Sequence, residues 1–166
     1  MTHTKRNKKH FPVTPAIRFL DQNQGRFIPH VYDFAREGGV SRQCAQRLGI
    51  DLHSVAKTLI FEDVNLHPFI IIMPGDREVV TRKMARYLGV KAVAPCKPPT
   101  AHRHSGYQMG GCSPFGTRRT MPVFMEEELL DLPRVYINGG KRGLILEMEP
   151  GEIVRLLDPT LVRVGG

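Results

Sequence analysis

Two glycine-rich stretches, Gly110-Gly111-Cys112-Ser113-Pro114-Phe115-Gly116 and Gly139-Gly140-Lys141-Arg142-Gly143-Leu144, divide the second half of this chain into short segments. Glycine admits φ > 0 and carries no side chain to hold a ligand off the main chain. Several backbone N–H groups therefore become approachable together. A surface built this way suits a carbonyl oxygen or a phosphate.

With 166 residues, the chain is most simply one domain, long enough to bury about two thirds of its unfolded surface. Three cysteines, Cys44, Cys96 and Cys112, and a charged start without an apolar leader point to a reduced, cytoplasmic setting. The longest apolar run, Phe69 to Met73, is strand-sized, so no membrane span and no membrane partner are expected. A formal charge of +8 and a pI near 9.8 favour a polyanionic partner. Part of that charge lies in Lys5, Arg6, Lys8 and Lys9. Residues 1–13 are therefore read as a basic, flexible tail and residues 14–166 as the folded domain.

Alternating α and β patterns run through the domain with no linker. Thr14 is placed to cap a helix opened by Pro15, with Ile17 and Leu20 inward. Phe27 to Phe34 reads as an edge or bent strand because of Pro29, and Ser41 to Leu48 as a helix stopped by Gly49. Val55 to Phe61 and Pro68 to Met73 read as a hairpin. Asp76 to Leu88 has the clearest helical periodicity. Lys91 to Ala94 reads as a strand and Pro98-Pro99 as a helix start. A strand near Met121 to Phe124, a helical turn at Glu126 to Leu130, strands at Arg134 to Asn138 and Gly143 to Met148, and a helix at Pro150 to Leu157 follow. This order predicts an α+β domain with a mixed, strongly curved, barrel-like sheet flanked by helices.

Several groupings have chemical potential. Cys96, His102, His104 and Cys112 are possible zinc ligands, yet their spacing lacks the paired knuckle of structural zinc sites, and no metal is expected. Cys112 could serve as a nucleophile if His102 or His104 folded back as base, although no third orienting residue is visible. Otherwise it is a half-buried loop residue and the histidines lie on a solvated helix face. Lys57 interrupts an apolar strand pattern. It faces either solvent or a cleft, and in a cleft it needs an anionic partner.

Thr14-Pro15-Ala16, Tyr32, Lys57-Thr58-Leu59, Gly106-Tyr107 and the two glycine loops occur in an order that resembles the YbaK/ProX family of aminoacyl-tRNA deacylases. The resemblance covers about Thr14 to Leu157. It implies hydrolysis, without cofactor or metal, of the ester joining a wrong amino acid to the terminal adenosine of a tRNA. The likeness is nearest to free-standing members that clear cysteine from tRNA(Pro) and are thought to act alongside prolyl-tRNA synthetase. Aminoacyl-tRNA and that synthetase are thus the expected partners. The resemblance further implies that Lys57 holds a phosphate of the tRNA end and that Gly110 offers its N–H to the scissile carbonyl. Tyr32, Gly111, Ser113, Pro114, Asn138, Gly139 and Arg142 are the expected substrate-binding residues, with Arg142 either contacting tRNA or pinning its loop. In the cysteine-specific members the proposed nucleophile is the substrate's own thiol, which leaves Cys112 outside the catalytic set.

Two positions depart from the cysteine-specific pattern. Asn138 stands where a serine is usual and Ile145 where an aspartate is usual. The Asn138 carbonyl is able to accept from a substrate amine or hydroxyl, whereas Ile145 cannot bind a charged amine. A deacylase for Ala-, Ser- or Thr-tRNA using water stays open, as does a noncatalytic tRNA- or nucleotide-binding module. An unrelated cysteine hydrolase is the third reading, and it requires Cys112.

Overall fold

The apolar run Phe69 to Met73 lies in a strand, Pro68–Pro74, whose seven residues are all buried. It must therefore be covered on both faces, and the rest of the molecule is arranged around that requirement. In chain order the elements are α1 (Pro15–Gln22), β1 (Ile28–Val31), α2 (Val40–Leu48), β2 (Val55–Asp63), β3 (Pro68–Pro74), α3 (Thr81–Leu88), β4 (Val93–Pro95) and α4 (Pro98–Ser105). They continue with β5 (Val123–Glu126), β6 (Val135–Asn138), β7 (Leu144–Met148), α5 (Pro150–Leu157) and β8 (Thr160–Val162). This computed structural model describes residues 11–166, so Lys5, Arg6, Lys8 and Lys9 lie outside the described residues. Phe11, inside the expected tail, sets its ring edge-on to Phe27 with centroids 6.4 Å apart.

Eight strands form one mixed sheet in the order β1-β7-β6-β2-β3-β5-β8, with β4 on the far end of β2. β2 and β3 form the expected hairpin, Lys57 opposite Met73, while β2/β6, β3/β5 and β5/β8 run parallel. An α+β domain with helices flanking a mixed sheet is thus what forms. Ile70 and Ile72 pack with Ile17 and Leu20 of α1, Phe115, Met125 and Ile137. On the other face Phe69, Ile71 and Met73 meet Met84 and Ala85 of α3, Phe124 and Val162. Each such large side chain, fully buried, contributes about 1.5–3 kcal/mol.

Helix ends follow local chemistry. Thr14 accepts from the Ile17 N–H at 3.1 Å, and Gly49 ends α2 in the left-handed conformation. Edge placement of β1 accommodates Pro29. The helix expected from Asp76 begins only at Thr81. Glu78 exchanges backbone hydrogen bonds with Gly166 at 2.9 Å, and the Val80 N–H donates to Val164 at 2.8 Å, so tertiary pairing extends the segment that periodicity reads as helical. β8, which belongs to the same C-terminal stretch, is absent from the sequence expectations.

β2 has different neighbours along one edge. β6 pairs with it only at Val55–Ala56, and β4 only at Phe61–Asp63. The Ile60 carbonyl accepts from the Cys96 N–H at 2.9 Å, which by strand alternation turns the Thr58 peptide groups toward the same edge. On this edge, away from β3, no strand among the described residues stands opposite Thr58, and the sheet is open there.

Away from that opening, Glu152 ties α5 to the chain after α1. Its carboxylate, with a side chain only 3% exposed, accepts from the Arg26 N–H at 2.7 Å and from Arg155 at 2.6 Å. The Arg155 guanidinium, first among the causes, holds Glu152 down at about 2 against the usual 4.5. A depressed carboxylate stabilises the fold above its unfolded value and loses that contribution as pH falls through the folded value. Glu152→Gln should therefore lower the urea midpoint at pH 6–7, with the gap to wild type closing between about pH 4.5 and 2. Urea titrations across that range test this, and a pH-independent gap contradicts it.

Candidate active site

The opening at Thr58 leads into a cavity of about 570 Å³. β2 forms its floor. The start of α2, the chain from Tyr107 to Gly110, and Asn138 and Ile145 from β6 and β7 form walls. The Thr58 hydroxyl is buried and, among the described residues, has no hydrogen-bond partner. A buried hydroxyl without a partner is costly to keep.

Lys57 resolves the sequence ambiguity in favour of the cleft. Its side chain is 16% exposed, and its ammonium contacts the Arg77 carbonyl and Glu78 Oε1, the latter at 3.2 Å. Glu78 is the only acidic residue lining the cavity among the described residues, and its own side chain is 85% exposed. The hairpin register brings this pair together: Lys57 faces Met73, and the chain leaving β3 returns Glu78 to the lysine. Only the lysine was visible in the sequence, because its counter-charge lies 21 residues away.

The two glycine loops meet backbone to backbone. A Cβ on Gly111 would stand 2.9 Å from the Arg142 nitrogen and 3.0 Å from the Lys141 carbonyl carbon, so only glycine permits this approach. Gly110, at φ +86°, lines the cavity. Its N–H has no recorded acceptor among the described residues, while its carbonyl accepts from Asn138 Nδ2 at 3.1 Å. Asn138 Oδ1 in turn accepts from the N–H groups of Gly140 at 2.7 Å and Lys141 at 3.2 Å. Both acceptor positions of the Asn138 carbonyl are thus engaged by the second loop, and its carboxamide joins the two loops at the cavity wall.

The remaining expected binding residues stand behind the cavity wall. Arg142 donates to the Met109 carbonyl at 2.8 Å and lies 5.4 Å over the Phe34 ring, so it pins the first loop. Ser113 is fully buried and accepts from the Phe115 N–H at 3.3 Å. Pro114 is buried in the same turn. The Gly139 carbonyl accepts from the Thr14 hydroxyl, which joins the second loop to the start of α1. Gly111 is filled in by the loop-to-loop contact. Tyr32 packs with Cys44, Val55 and Ile145, and the last three line the cavity while Tyr32 stands behind them. Its hydroxyl is buried without a partner among the described residues, and burial pushes it up to about 12.

Gln43 was missed by sequence reasoning. Its amide accepts from the Ala35 N–H at 3.0 Å and donates to the carbonyls of Ala35 and Glu37 at 2.7 Å. It thereby shapes the loop from Ala35 to Gly39, whose last residue lines the cavity. A polar residue on the inner face of α2 was the available signal.

The thiols are held protonated at neutral pH. Burial pushes Cys112 and Cys96 up to about 11 and Cys44 to about 12. A thiol so raised is a poor nucleophile. His102 is engaged at Nδ1 with the Tyr107 carbonyl at 3.1 Å. Among the described residues no group of three or more His, Cys, Asp or Glu side chains is arranged to hold a metal.

Asn138→Asp keeps the acceptors for Gly140 and Lys141 but replaces the donor to Gly110 with a repelling oxygen. It should lower stability by about 1–3 kcal/mol, and Asn138→Ala, which breaks both sides of the clamp, should lower it further. Thermal unfolding of the three proteins measures this, with equal midpoints contradicting the clamp.

The model of the aminoacyl-tRNA editing domain family matches residues 39–156, which include Lys57, both loops and the cavity walls. The chain is 28% identical over 149 residues to EbsC of Enterococcus faecalis, a candidate Cys-tRNA(Pro)/Cys-tRNA(Cys) deacylase, covering 90% of this chain and 91% of that one. It is 24% identical over 105 residues to the proline–tRNA ligase of Limosilactobacillus fermentum, 61% of this chain and 18% of the ligase. A solved structure of a candidate trans-editing enzyme for prolyl-tRNA synthetase superposes with a TM-score of 0.80 at 19% identity, over 93% of this chain and 99% of that one, and shares the fold. No helix among the described residues is long and apolar enough to cross a membrane. A family match over this much of the chain, on a fold shared with solved structures, makes the protein a member of the aminoacyl-tRNA editing domain family, of the YbaK type.

Proposed function

We propose that the protein is a trans-editing hydrolase that removes a wrong amino acid from the terminal adenosine of a tRNA, with Cys-tRNA(Pro) as its substrate. The observation that carries this reading is that Lys57 and Gly110, whose N–H has no acceptor among the described residues, line the same cavity. Lys57 binds a phosphate of the tRNA end in place of Glu78, and Gly110 donates to the ester carbonyl. An N–H aimed at the developing oxyanion lowers such a barrier by about 3–4 kcal/mol.

The raised values of Cys44, Cys96 and Cys112 leave no ionised protein thiol to attack, which supports a nucleophile brought by the substrate. The cysteinyl sulfur attacks its own ester carbon. A C–S bond forms, the C–O bond to the ribose breaks, and the thiol proton passes through solvent to the departing ribose oxygen. The resulting thiolactone is hydrolysed by water. Holding the aminoacyl group in the attacking conformation is then the main contribution of the cavity. Similarity to EbsC supports the cysteinyl substrate, and similarity to a proline–tRNA ligase supports action beside that synthetase in the cytoplasm. Ile145 favours the second reading, an Ala-, Ser- or Thr-tRNA deacylase using water, because this buried wall is apolar.

Single-turnover deacylation of Cys-, Ala-, Ser- and Thr-tRNA(Pro) tests the proposal. Rapid loss of the cysteinyl ester alone is expected. Lys57→Ala should raise the concentration of tRNA giving half-maximal rate by about 10- to 100-fold, the worth of a hydrogen bond to a charged group, and Cys112→Ser should leave the rate unchanged. Loss of a different ester moves the substrate to the second reading. Stable esters throughout, with tRNA still bound, identify a noncatalytic binder.

A further inference from the structure

We infer that the exposed face of α3 is a track for the single-stranded 3′ segment of the tRNA as it leaves the cavity. The inference rests on the deacylase reading above. Val79, two residues before α3, and Thr81, its first residue, line the cavity. From there the helix turns Met84 and Ala85 into the core and presents Arg82, Lys83, Arg86 and Tyr87 to solvent. Its eight residues contain no acid. Among the described residues none of the three cations is ion-paired.

Helix physics disfavours this arrangement in an empty protein. Arg82 and Lys83 occupy the first turn, where the macrodipole is positive and opposes them. Arg82 and Arg86 stand four residues apart, Lys83 and Arg86 three, so each pair repels across one turn. A polyanion laid on the face reverses both terms. Tyr87 completes it: the ring is 53% exposed and set edge-on to Phe124 with centroids 6.1 Å apart. With Lys83 and Arg86 it forms one bank of a shallow groove. The opposite bank holds Arg163, whose guanidinium already neutralises Glu127, the only acid of the groove among the described residues.

An eight-residue helix is about 12 Å long, room for about two or three phosphates of one strand. That is the reach of the unpaired nucleotides next to a terminal adenosine seated in the cavity. A positive track with an exposed aromatic ring is the pattern that binds single-stranded nucleic acid without reading its sequence.

Binding of a five-nucleotide RNA ending in CCA and of adenosine 5′-monophosphate, measured by fluorescence competition at several salt concentrations, tests the inference. The combined variant Arg82→Gln/Lys83→Gln/Arg86→Gln should bind the RNA about 10- to 100-fold more weakly, with a salt slope shallower by about two. Tyr87→Ala should weaken RNA binding by at least about fivefold. Both variants should bind the mononucleotide as wild type does; the glutamine variant should melt no lower than wild type, and circular dichroism should show Tyr87→Ala folded despite its lost contact with Phe124. Unchanged RNA binding by the variants overturns the inference, as does a parallel loss for the mononucleotide or a wild type that binds the RNA no tighter than the mononucleotide. Failure of the deacylase reading shows separately, as esters that stay intact in the single-turnover assay.

Discussion

The Asn138 carboxamide reaches three backbone groups from two loops: the Gly110 carbonyl on one side, and the Gly140 and Lys141 N–H groups on the other. Neither loop has regular structure to hold it, and glycine makes each one entropically costly to order. Three side chain-to-backbone hydrogen bonds at about 1 kcal/mol each offset part of that cost. Arg142 and Thr14 extend the clamp outward, to Met109 and to the start of α1. Asn138 fixes the Gly110 carbonyl and Arg142 the Met109 carbonyl, so the peptide that carries the Gly110 N–H is set by this chain of contacts.

A second constraint comes from the sheet. β3 is covered on both faces and pairs on both edges, whereas β2 is paired along one edge only at its ends. Rigid strand and open edge are therefore adjacent. Thr58 and Lys57 gain a fixed backbone from the hairpin and an unobstructed approach from the gap between β6 and β4.

Much of this was legible where local chemistry decides. Thr14 before Pro15, Gly49 after Leu48 and the apolar run Phe69 to Met73 each act within a few residues, and the corresponding elements form as read. Misreadings occurred where distant pairing wins. Asp76 to Val80 carries a helical pattern but is drawn into backbone pairing with Val164 and Gly166, and β8 is too short and exposed to leave a periodic signal. The same division holds for the cavity. Lys57 and the glycines stand out one at a time, while the clamp by Asn138, the loop shaping by Gln43 and the pairing of Lys57 with Glu78 are properties of proximity that no spacing announces.

The Lys57–Glu78 contact alters what occupancy means. The ammonium is already neutralised, by a carboxylate on a largely solvent-exposed side chain whose backbone is fastened to Gly166. An arriving anion therefore enters by exchange, displacing one negative group with another, and the net electrostatic gain is correspondingly small. The returning carboxylate competes for the lysine at every moment of occupancy. Such a centre resists tight retention of whatever it holds, and a catalyst that must let go of a whole tRNA after cutting a single ester has that much less to overcome.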